Sequence, residues 1–248
     1  PNFPPIALAS LLIALAASPC SAQSAPAAGA ISTSAEQFTR ETEALRVAIE
    51  RDYPEDEAWL GVAPESLATV PPEAFKVIAA YARAQRLRLH THAASSAGDV
   101  AACVAEHGRT PVALLAELGL VDKRFTAVDA RHLTEEEIRL LGTARAAACV
   151  TPGAPAPVEG LLAAGAGVAA GMDAHAPASP LFLARELPVA DAAAAWRAAT
   201  TGGARSLGAT SGALEVGRPA DFFTVNLGDP ALAGVEARGL PAVLLAAL

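Results

Sequence analysis

The stretch "LRLHTHAASS" (residues 87–96) alternates apolar or small residues with two histidines and then turns abruptly small and polar. On a strand, residues i and i+2 share a face, so His90 and His92 project from the same side, as metal-binding pairs often do. Similar short apolar runs stand on either side of it: "WLGVAPE" (59–65), "RFTAVDA" (124–130), "AAACVTP" (146–152) and "GVAAGMD" (167–173). Helical patterns lie between and around them. Residues 34–52 begin with Ser34 as cap and Gln37 at the capping-box position, and 71–86 begin with Pro. Residues 99–107 follow, then 110–119 with Gly119 as stop, 134–144 opened by Thr134, and finally 189–208. Strand and helix alternating at this spacing predict parallel βαβ units. Several apolar runs also end in a polar residue: Glu65, the His90/His92 pair, Asp129 and Asp173. In a (β/α)8 barrel such strand ends form the active-site face.

The 248 residues are enough for one large domain with a substantial core. The hydrophobic fraction of 52% includes only 4% aromatic residues, so it reflects alanine rather than membrane character. Net charge is −8, with no basic run, which argues against nucleic acid and anionic membrane as partners. Cys20, Cys103 and Cys149 are odd in number and far apart, a pattern of free thiols in a reducing compartment such as the cytoplasm. Residues 6–23 compete with that reading. Their apolar run has the length of a signal segment, which would make the protein secreted or periplasmic, but no Lys or Arg precedes it.

Together, "LGVAPESLATVPPEAF" (60–75), residues 87–137 and "GMDAHA" (171–176) resemble the amidohydrolase superfamily. The resemblance is to its formimidoylglutamate deiminase branch, alongside cytosine- and guanine-deaminase-like enzymes. Residues 202–232 resemble the superfamily's return from barrel to β-sandwich. This implies a zinc-dependent barrel that hydrolyses a C–N bond of a small molecule, such as the amidine of N-formimino-L-glutamate in histidine degradation. By the same resemblance, His92 and Asp173 are metal ligands, with Asp173 also the catalytic base. Asp129, in "VDARHL" (128–133), stands where a zinc histidine is expected and is a substitute oxygen ligand. Glu65, in "APESLA" (63–68), and His175 fall at substrate-contacting positions.

Other positions depart from the pattern. Ser95 stands where a proton-shuttling Glu is expected, and serine does not relay a proton at neutral pH. Ala68 replaces an Arg that would grip a carboxylate. No His precedes residue 90, so the opening H-x-H is missing from this sequence.

The expectation is therefore a partial or irregular TIM-type barrel that starts partway round and stops inside a remnant of the C-terminal β-sandwich. Residues 1–56 form an N-terminal apolar segment, loop and helix, 57–208 the barrel, and 209–248 a truncated β segment. Six barrel strands are expected, counting 11–18. Exposed edges would favour a homodimer. Two functional readings stand: an amidohydrolase-type deiminase with impaired or lost turnover and weak or absent zinc binding, or a non-catalytic scaffold that binds a small molecule. His90 has a bland alternative as a core hydrogen-bonding residue, and "TEEEIRLL" (134–141) reads as a solvated helix start.

Overall fold

The computed structural model describes residues 34–54, 58–151, 155–172 and 180–247. The expected strand at 11–18 and the apolar run at 6–23 lie outside them. Five strands form one sheet in chain order, every neighbour pair parallel: β1 (Gly61–Val62), β2 (Arg88–His92), β3 (Phe125–Val128), β4 (Ala147–Val150) and β5 (Gly167–Ala170). Helices join them, as parallel strands require. α1 (Ala35–Asp52) precedes β1, and α2 (Pro72–Ala84) leads to β2. α3 (Ala97–His107) and α4 (Pro111–Glu117) lead to β3, α5 (Glu135–Ala144) to β4 and α6 (Val158–Ala163) to β5. This is the βα order of a partial barrel.

The register assigns the two faces of the sheet. Leu89 pairs with Phe125, Ala127 with Ala148, Ala148 with Val168, and Val150 with Ala170. All seven of these side chains lie in the main core with Phe75, Ile78, Val112, Leu115, Leu141 and Leu161 of the helices. His90, His92, Thr126, Val128 and Cys149 alternate onto the opposite face, which would be the inside of a closed barrel.

The chain after β5 returns to this inner side, where it meets His90. After α7 (Pro180–Arg185) and α8 (Ala192–Arg197), a π-helical turn (Ala198–Gly202) runs into α9 (Gly203–Leu207). The N–H groups of Gly167 and Gly171 donate to Ala146 and Val150 of the β4 segment, so the carbonyl of Val168 points to the sheet's outer edge. A Cβ on Gly202 would stand 2.0 Å from that carbonyl oxygen, so only glycine lets the π-turn cover this edge. The carbonyls at the end of α9 then accept two side-chain hydrogen bonds: Trp59 Nε1 donates to Leu207 O at 2.7 Å, and His90 Nε2 lies 2.9 Å from Ser206 O. One short helix thus ties Trp59, two residues before β1, and the middle of β2 to the chain that follows β5.

Two expectations change here. "TEEEIRLL" is solvated at Glu135 and Glu136, but Glu137 is fully buried. Thr134 and Glu137 cap α5 reciprocally. Glu137 also accepts from the Val112 N–H at 2.8 Å, which caps α4, whose own Thr110 makes no side-chain cap bond. Two helix starts with orphan N–H groups draw the carboxylate inward.

The β segment expected at 209–248 forms no strand in its described residues. "FFTVN" (222–226) is irregular, with Phe222 and Phe223 exposed, and the last described residues form the helix α10 (Leu240–Ala247). A strand needs a neighbour for its backbone groups, and no described strand lies beside this stretch.

Candidate active site at the strand ends

The C-terminal ends of β1, β2 and β3 form one rim. His92 closes β2, half-buried, and its N–H donates to the carbonyl of Glu65 at 2.8 Å. Thr91 Oγ1 donates to the same carbonyl at 3.0 Å. These bonds hold the loop after β1 against β2, while the Glu65 residue itself is exposed. His92 pairs with Val128, so Asp129, the next residue, stands just past the end of the neighbouring strand. Ser95 follows three residues after His92, half-buried in the turn to α3.

Asp129 has φ of +55°, a left-handed conformation that aspartate tolerates better than most residues. The Arg131 N–H donates to the Asp129 carbonyl at 2.8 Å, so the chain curls back on itself. Arg131 Nε reaches Asp129 Oδ1 at 2.5 Å, and Arg131 Nη2 donates to Thr151 Oγ1 at 2.6 Å. Thr151 Oγ1 in turn donates to Asp129 Oδ1. The three side chains form a clasp across the ends of β3 and β4. His132, by contrast, is exposed.

The structure thus brings Glu65, His92 and Asp129 to one rim. Asp173 and His175 lie outside the described residues. Arg131 and Thr151 were missed by the sequence reading. Thr151 had the same signal as the others, being the polar residue that ends an apolar run, and Arg131 stands two residues beyond a strand-end carboxylate.

His90 takes the core role. It is 9% exposed, and burial lowers its pKa below the usual 6.5, with the nearby Arg88 acting in the same direction and the bond to Ser206 opposing it. A carbonyl only accepts, so Nε2 carries the hydrogen of the neutral ring. Next to it in register, Thr126 Oγ1 is buried with no hydrogen-bond partner among the described residues. Cys103 and Cys149 are not in disulfides. No helix among the described residues is long and apolar enough to cross a membrane.

The sequence matches the amidohydrolase family over residues 6–245. The chain belongs to the amidohydrolase family. It is 33% identical over 218 residues to a 5'-deoxyadenosine deaminase of Methanoregula boonei, covering 79% of this chain and 49% of that protein. It is 33% identical over 192 residues to a 5-methylthioadenosine/S-adenosylhomocysteine deaminase of Moorella thermoacetica, covering 68% and 45%. The chain thus spans about half the length of the curated relatives it matches.

Among solved structures, a zinc-bound adenosine deaminase from Xanthomonas campestris superposes with a TM-score of 0.74 at 28% identity, over 85% of this chain and 52% of that one. A zinc complex of atrazine chlorohydrolase from Arthrobacter aurescens gives a TM-score of 0.69 at 25% identity, over 85% and 51%.

Amidohydrolase relatives therefore hold zinc, and a zinc site normally needs three or more N, O or S donors. Among the described residues, no three His, Cys, Asp or Glu side chains gather closely enough to hold an ion. The Asp129 carboxylate already serves Arg131 and Thr151. The described donor set does not fit zinc.

Proposed function

We propose that this chain carries the strand-end face of an amidohydrolase-type hydrolytic deaminase whose ligand is an aminopurine nucleoside. In the proposed reaction, water adds to the ring carbon that bears the amine, a C–O bond forms, and the C–N bond breaks to release ammonia. The observation that carries the reading is the rim of Glu65, His92 and Asp129 at the C-terminal ends of consecutive parallel strands, the reactive face of such barrels. The relatives named as deaminases of adenosine derivatives support the ligand class.

N-formimino-L-glutamate offers the same kind of C–N bond, but it is a dicarboxylate. Ala68 stands where the resemblance expects an arginine to grip a carboxylate, which favours the nucleoside. Ser95 in place of a proton-shuttling Glu, together with the clasp on Asp129, favours reduced turnover and keeps a non-catalytic binding role as the second reading. A small-molecule partner, a cytoplasmic setting and self-association of the chain as a homodimer belong to the same proposal. Sedimentation at two protein concentrations tests the last of these.

Calorimetric titration and ammonia release with 5'-deoxyadenosine, 5'-methylthioadenosine and N-formimino-L-glutamate test the function. Nucleoside binding with ammonia release supports deamination, and binding without ammonia supports the scaffold. Absence of nucleoside binding, or preference for N-formimino-L-glutamate, overturns the proposal.

A further inference from the structure

The Asp129 clasp has a consequence for metal binding that holds whatever the substrate is. We propose that Arg131 is a built-in competitor for divalent metal at Asp129, so that the end of β3 is occupied by an internal cation. His92 and Asp129 stand at adjacent strand ends, which is where a barrel metal would draw its donors. Zinc requires oxygen ligands at about 2.0–2.2 Å with their lone pairs available. Here Asp129 Oδ1 accepts from both Arg131 Nε and the Thr151 hydroxyl.

The clasp is tied at three points. The turn at Asp129, with its positive φ, aims residue 131 back at the carboxylate. Thr151 is 6% exposed and bonds both partners, and Arg131 donates through two of its nitrogens. A metal that binds Asp129 through Oδ1 must break these bonds, and one that binds through either carboxylate oxygen must accept a positive guanidinium beside it. Both demands weaken binding. The Asp129 side chain is 15% exposed and that of Arg131 29%, so this charge pair is shielded from water more than an ordinary surface pair.

The test uses the full chain and zinc alone, with affinity read by competition against a chromophoric chelator. Arg131→Gln removes the charge while keeping a polar side chain, and is expected to tighten zinc binding by about ten- to hundred-fold, the range seen when groups around a metal's ligands change. The same substitution in an Asp129→Asn background is expected to give no gain, because the freed carboxylate is its source. Arg131→Lys keeps the charge but loses the two-pronged geometry, and is expected to give a smaller gain. It also serves as the readout should circular dichroism show the Gln variant unfolded. Zinc affinity of Arg131→Gln within about two-fold of wild type overturns the proposal. So does a gain that persists with Asn at 129, or a folded Lys variant with no gain when the Gln variant has failed to fold.

Discussion

His90 and His92 stand two residues apart on one face of one strand, yet the structure gives them different work. His92 closes its strand at the rim, while His90 lies mid-strand and joins Ser206 O as a neutral ring. The folded state therefore resists protonating His90, whereas the unfolded chain protonates it near the ordinary pKa of 6.5. Between that value and the lower folded pKa, the unfolded state binds more protons, so stability rises with pH. The contribution of His90 is fully present above about pH 6.5 and is lost as the pH falls below it. Urea denaturation of wild type and His90→Gln between about pH 5 and 8 measures the effect. The stability advantage of wild type is expected to shrink toward acid, and an advantage independent of pH contradicts the assignment. The pairing of the two histidines was legible in the sequence; their division of labour was not, because the carbonyl that claims His90 lies 116 residues away.

Element positions were largely legible because their signals are local. The five described strands fall within the apolar runs read from the sequence, and Ser34, Pro72 and Thr134 mark helix starts where they were expected. The helix read as 189–208 is instead two short α-helices joined by a π-turn, since close approach at Gly202 rather than helix periodicity shapes that stretch. Short α6 and α7 carry little periodicity and were missed. Glu137 is the clearest tertiary override: an acidic first turn looks solvated until a second helix start needs the same carboxylate. Glu137→Ala leaves the N–H groups of Val112 and Thr134 without their acceptor. The expected loss is on the order of 3 kcal/mol, given the cost of unmet buried donors. At about 2–4 °C per kcal/mol for a chain of this size, melting should fall by roughly 10 °C. Calorimetry checks this, and a melting temperature unchanged by the substitution contradicts the shared-cap account.

At the scale of the molecule, two parts of the sheet differ in kind. On one side, the last carbonyls of α9 bond Trp59, just before β1, and His90, midway along β2. At the C-terminal ends, Glu65, His92, Asp129, Arg131 and Thr151 stand at the strand ends or just beyond them. Sequence alone located this rim through its strand-end polar residues, but the clasp depends on a contact between β3 and β4 that spacing does not reveal. The central claim is that ligand binding belongs to this rim and not to the side held by α9. Hydrogen–deuterium exchange with and without saturating 5'-deoxyadenosine tests it directly. The account predicts slowed exchange in residues 64–68, 92–96 and 129–133, with residues 58–61 and 203–208 unchanged. Protection confined to 58–61 and 203–208 would contradict it.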